Sequence, residues 1–267
     1  MAAVSSTTRR VPLIAGNWKM NLDHLQAIAV VQKLAWSLKD AGHDFSAVEV
    51  AVFPPFTDLR SVQTLVSADK LPIAFGGQDV SEHESGAYTG EIAASFLSQL
   101  ECRYVIIGHS ERRTLHGETD EQVAAKVAAA LASNLSPIIC VGETAEDLET
   151  HGASAVPVAQ LRAALAKVSS AADIVVAYEP VWAIGSGQAA TPEQAEQVAA
   201  ALRGVLVEAL GEDVAARTRI LYGGSVKSGN IASFMREPNV DGALVGGASL
   251  DVAEFAAIVR YQKHVGL

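Results

Sequence analysis

A chain of 267 residues with 49% apolar content can bury a large core, yet its apolar runs fall well short of the roughly 20 residues of a membrane helix. Its net charge of −10, with no block of lysine or arginine, excludes general attraction to nucleic acid or anionic lipid membrane. The two cysteines, Cys102 and Cys140, lie far apart without metal-type spacing and read as free thiols in a reducing compartment, so a cytoplasmic location is expected.

In chain order, residues 1–10 (MAAVSSTTRR) are small and polar and lack the apolar stretch of a secretory signal, so they read as a disordered tail, with a transit peptide as the lesser alternative. Across 11–267, short apolar runs alternate with longer stretches of helical period. The predicted strands are Val11–Gly16, Val48–Phe53, Leu71–Gly76, Tyr104–Gly108, Ser136–Val141, Ile174–Tyr178, Arg219–Tyr222 and Asp241–Val245. Predicted helices between them include His24–Leu38, Asp120–Ala132, Pro192–Leu210 and Asn230–Met235. Thr191 before Pro192 with Gln194 following, and Asp120 before Gln122, supply helix-start signals. Apolar residues on consecutive strand positions fit a parallel sheet buried on both faces. Eight such units, about 30 residues apart, predict a closed (β/α)8 barrel forming a single domain. An open doubly wound sheet would be marked by GxGxxG after the first strand, and that motif is absent.

Polar residues follow the predicted strands closely: Asn17 and Lys19, Gln78, His109, Glu143, Glu179, Ser225, and Gly246 with Gly247. Barrel enzymes keep their chemistry at this carboxyl-end face. Glu179 stands in AYEPVWAIGSGQ, between an apolar strand and a segment of proline, apolar cover and two glycines. That order suits a general base tied to a loop that hinges shut, although Glu179 alone reads equally as an exposed loop acid. Lys19 would stand at the barrel mouth beside Asn17, where a cation can face an anionic substrate; its plain alternative is a solvated surface lysine. His109 opens GHSERR at a predicted helix start, whose amides disfavour an imidazolium and lower its pKa. GHSER lacks the second glycine of a nucleophile elbow, so Ser110 is not assigned as a nucleophile. His109 and Glu111 have no second histidine or cysteine at zinc-ligand spacing. YGGS at 222–225 and VGGAS at 245–249 close the last two strands, where amides freed by glycine and the Ser225 hydroxyl can hold a phosphate despite the acidic chain.

In order, AGNWKMN, GAYTGE, GHSERR, AYEPVWAIGSG, YGGSV and ALVGGASL resemble the triosephosphate isomerase family across essentially the whole chain. That family is already known for a neutral catalytic histidine and a closing loop. The resemblance implies a reaction of glycolysis and gluconeogenesis that interconverts dihydroxyacetone phosphate and D-glyceraldehyde 3-phosphate, with no metal or organic cofactor. By it, Glu179 removes and returns the proton, neutral His109, the Lys19 ammonium and the Asn17 amide hold the enediolate charge, and Glu111 contacts the lysine. The lid would span 180–190, with Pro180, Val181 and Trp182 as its leading hinge and Ile184 as its apolar cover. Gly185, Ser225, Gly246 and Gly247 would bind the phosphate, and Leu244 would clamp the base from the other side. Tyr222 and Ser225 would hold the closed loop, and Glu143 would receive the Trp182 indole. Closure would exclude water and disfavour phosphate loss to methylglyoxal. Ser186 and Gln188 depart from the threonine and lysine common at their positions in the family.

The resemblance also implies a homodimer in which the loop Gly76–Glu91 enters the neighbouring subunit, with Thr89 reaching the partner subunit's Asn17 and His109. Composition alone reads that loop as solvated surface. Two alternatives stay open. Another phosphate-binding barrel isomerase or lyase would keep the glycine ends without the Glu179 lid. A catalytically silent barrel scaffold would have lost Glu179, His109 or Lys19.

Overall fold

The computed structural model describes residues 10–169, 172–184 and 189–263. Among them, eight parallel strands close into a barrel in sequence order: β1 (Leu13–Asn17), β2 (Glu49–Phe53), β3 (Ala74–Gly77), β4 (Tyr104–Ile107), β5 (Ser136–Val141), β6 (Val175–Tyr178), β7 (Arg219–Tyr222) and β8 (Gly242–Val245). Closure rests on β1, which pairs Leu13 with Glu49 of β2 on one side and with Gly242 of β8 on the other. The expected (β/α)8 barrel is therefore the observed fold.

Two strands, β1 and β3, start two or three residues later than the apolar pattern predicts. Pro12 and Pro72 lie within the runs at 11–16 and 71–76, and a residue without an N–H cannot join the ladder as a donor. The Pro12 carbonyl still accepts from Glu49 N at 2.8 Å, so the chain enters the barrel just upstream of β1. Arg10, expected in the tail, is anchored instead. Its Nε lies 2.5 Å from Asp241 Oδ1, and its other nitrogens donate to the carbonyls of Ala216 and Pro238. Residues 1–9 of the expected tail lie outside the described residues.

Two apolar layers hold the barrel. The larger lies between sheet and helices and includes Trp18, Leu34, Val62, Val127 and Leu202. The smaller fills the barrel interior with residues such as Leu13, Phe53, Tyr104, Ile106 and Leu221. At the amino-end of the barrel, polar groups from three strands meet. Glu49 accepts from Tyr104 Oη at 2.8 Å and from Arg219 Nη1 at 2.6 Å, and Arg219 Nη2 donates to the same phenol oxygen at 2.7 Å. Each polar group in this plug has a partner, as burial demands.

Helix starts follow side-chain capping. Thr191 accepts from Gln194 N while Gln194 reaches back to Thr191 N, and Pro192 opens the helix Pro192–Leu210. For Asp120–Ala132 the cap is Thr119, one residue before the acid that sequence singles out, with Gln122 completing the box. Asp120 instead lies in the first turn, where a carboxylate favours the helix dipole.

Candidate active site

Five strand ends converge on one cavity of about 510 Å³ at the carboxyl-end face. It is lined by Asn17, Lys19, His109, Glu111, Glu179, Ile184, Ser225, Leu244, Gly246 and Gly247, with Gly223, Gly224 and Lys227 among the rest. Residues as far apart as Asn17 and Ala248 thus share one pocket because every strand runs in the same direction.

Glu179 follows β6 directly and is buried. Its Oε1 lies 2.9 Å from His109 Nε2, and its Oε2 accepts from Ser110 N at 2.9 Å. Two glycines permit this placement. A Cβ at Gly142 would fall 1.7 Å from the Glu179 carbonyl oxygen, and one at Gly223 would fall 2.9 Å from Glu179 Cγ. Burial works to raise the Glu179 pKa, but His109, the Ser110 amide and Lys19 outweigh it and hold the carboxyl below its ordinary range.

His109 caps the helix Ser110–His116, its Nδ1 accepting from Glu111 N at 3.2 Å. With Nδ1 an acceptor, the proton of a neutral ring sits on Nε2, facing Glu179. The expectation that its position at a helix start lowers the His109 pKa needs correction. Burial disfavours the imidazolium, but the adjoining Glu179 carboxylate outweighs it and raises the His109 pKa in this arrangement. A neighbour 70 positions away, invisible to local sequence, decides the direction.

Lys19 adopts a left-handed backbone, φ 54°, uncommon for a residue with a side chain. Its N–H donates to Asn17 Oδ1 at 3.0 Å, and its ammonium pairs with Glu111 Oε1. A Cβ built on Gly246 would lie 3.9 Å from Lys19 Nζ, so the cation stands beside the glycine end of β8. Gly247 begins a short helical turn, Gly247–Leu250, and Ser249 Oγ donates to Gly246 O at 2.7 Å. A positive side chain and a glycine-rich main chain therefore face one cavity in a chain that is acidic overall.

After Glu179, Pro180 precedes a helical turn at Val181–Ala183. Glu143 holds that turn twice. Its carbonyl accepts from Val181 N at 3.1 Å, and its Oε1 accepts from Trp182 Nε1 at 2.7 Å and from Tyr178 Oη at 2.9 Å. Burial raises the Glu143 pKa against both donors. Ser225 Oγ approaches Ala183 O at 3.4 Å. Burial pushes the Tyr222 phenol, at the end of β7, up to about 12. Gly185, with Ser186, Gly187 and Gln188, lies outside the described residues. Thr89 is exposed on its own loop and does not line this cavity.

Sequence reading missed the Ser110 amide, Gly142 and Lys227. Sequence places Ser110 at a helix start, but nothing local aims its amide at Glu179. Gly142 follows a strand directly, as Gly246 does, and that shared position was the available signal.

Residues 12–262 match the sequence profile of a family described as triosephosphate isomerase. A triosephosphate isomerase of Leifsonia xyli subsp. xyli is 88% identical over 257 residues, covering 96% of this chain and 99% of that protein. One from Streptomyces coelicolor is 56% identical over 257 residues (96% and 99%), and one from Corynebacterium efficiens is 58% identical over 256 residues (95% and 97%).

Proposed function

Because this chain belongs to the triosephosphate isomerase family and interconverts dihydroxyacetone phosphate and D-glyceraldehyde 3-phosphate, we propose that Glu179, His109, Lys19 and Asn17 carry the proton transfers. The carrying observation is a buried carboxylate at a strand tip, in contact with one imidazole and sharing a cavity with one ammonium.

In the resting arrangement both Glu179 oxygens are occupied by donors, so neither is aimed at a carbon acid. Substrate binding draws the carboxylate away. Glu179 takes a proton from the carbon beside the substrate carbonyl, and the electron pair moves onto the carbonyl oxygen. His109 Nε2–H, released from Glu179, donates to that oxygen, while the Lys19 ammonium and Asn17 amide hold the developing negative charge. Departure of Glu179 removes the main cause that raises the His109 pKa, leaving burial and Lys19 to favour the neutral ring against Glu111. Glu179 then returns its proton to the neighbouring carbon, and the oxygen-bound proton shifts to complete the isomer. Glu111 restrains Lys19 between turnovers.

The phosphate rests on the main chain at Gly246 and Gly247, Ser225 and Gly185, and Leu244 packs against the base opposite Ile184. Pro180, Val181 and Trp182 swing the lid 180–190, with Glu143 receiving the Trp182 indole and Tyr222 and Ser225 holding the closed loop. We further propose a homodimer. A second cavity of about 530 Å³ shares Asn17, Lys19, His109 and Glu111 and is bordered by Met20, Phe56 and Leu115. Met20 and Leu115 are 94% and 75% exposed, an apolar rim suited to receiving the partner subunit's loop 76–91 with Thr89 at its tip. Two buried free thiols support a reducing, cytoplasmic location.

Activity with triose phosphates and its loss in Glu179→Gln test the assignment. A positioned general base contributes about 10²–10⁴-fold, so kcat should fall by at least that range. Full turnover in Glu179→Gln removes the carboxylate from the mechanism.

A further inference from the structure

We infer that Gln78 is a positioning residue for the catalytic lysine, a role that rests on Lys19 being the cation of the reaction above. Lys19 holds a left-handed backbone, so its peptide needs external restraint to stay there. Asn17 Oδ1 restrains the N–H side at 3.0 Å. Gln78 restrains the other side: its Nε2 donates to Lys19 O at 2.7 Å and to Phe53 O at 2.8 Å. Both partners are carbonyl oxygens, which fixes the amide orientation, since only the nitrogen end can serve them. One side chain thus ties the strained turn after β1 to the end of β2.

Gln78 is itself held. It follows β3 directly, and the next residue, Asp79, binds Lys126 Nζ at 2.8 Å and Arg112 Nε at 3.0 Å. Lys126 belongs to the helix Asp120–Ala132 and Arg112 to the helix that His109 caps. The clamp on Lys19 and the mounting of His109 therefore share one ionic anchor.

A double-mutant cycle separates positioning from general destabilisation. Gln78→Met keeps the length and volume but deletes both donors. In the otherwise native enzyme it should lower kcat/KM by about tenfold, the scale expected when a catalytic group is displaced by a fraction of an ångström. In a Lys19→Ala background the same change should cost less than about twofold, because no cation remains to be misplaced. Molecular mass and thermal midpoint, measured alongside, report any loss of assembly or fold. Should Gln78→Met not fold, Gln78→Asn serves, keeping the donors on a shorter arm, with an intermediate loss that also disappears beside Lys19→Ala. Equal losses in both backgrounds, or none in either, overturn the role of Gln78 while leaving Lys19 catalytic. Full activity in Lys19→Ala alone overturns the role of Lys19 and this one with it.

Discussion

Glu179 and His109 each set the other's charge. The Glu179 pKa lies below its ordinary value of 4.5, so the stability it lends is fully present above that value and is lost as pH falls through the folded pKa. The His109 pKa is raised above 6.5, so its contribution is present below that value and is lost as pH rises through the folded one. Removing one charge must move the other. In Glu179→Gln, nitrogen-15 NMR should find His109 titrating lower than in the parent, and a bound triose phosphate analogue that draws Glu179 away should do the same. An unmoved titration would mean the two groups are not coupled. Sequence located both residues because each directly follows an apolar run, but not their contact, which depends on how β4 and β6 face each other across the mouth.

Elements were legible where local chemistry decides them. The Thr191–Pro192–Gln194 signal marks a real helix start, and Thr191→Ala should cost about 1 kcal/mol in denaturant unfolding, the usual worth of such a cap. The predicted helix Asp120–Ala132 has the observed bounds, but the cap is Thr119 and not Asp120, because both are good capping residues and only backbone geometry separates a cap from a first-turn acid. Strand tips are less legible still. Gly142 looks like any glycine after a strand, yet its lack of a Cβ lets the ends of β5 and β6 approach. Gly142→Ala should push those ends apart, lower the thermal midpoint and reduce kcat, since Glu179 would move with the strand. A fully active, equally stable Gly142→Ala enzyme would show that the approach is dispensable.

For the whole molecule, alternation of apolar runs and helical stretches was enough to name the barrel, because eight parallel strands buried on both faces have few other ways to pack. The polar clamps that finish it were not legible, since their partners lie from about 20 to more than 200 positions apart. Asp241 is the clearest case: it receives Arg10, Arg203 at 2.7 Å and the Ile220 amide at 3.0 Å. Asp241→Ala would strand the largely buried Arg203 and should cost roughly 3–5 kcal/mol, measured by urea unfolding at fixed protein concentration. The proposed assembly is tested at its exposed rim, where Leu115→Asp should halve the solution mass and depress activity; a fully active single chain would leave Thr89 without its assigned task. The plug of Glu49, Tyr104 and Arg219 has a consequence for the reaction as a whole. With its floor sealed by paired polar groups, the barrel is a cup and not a pipe. The lid proposed at 180–190 would then govern the traffic of solvent protons, so hydrogen-isotope exchange between water and the reacting carbons should follow its opening.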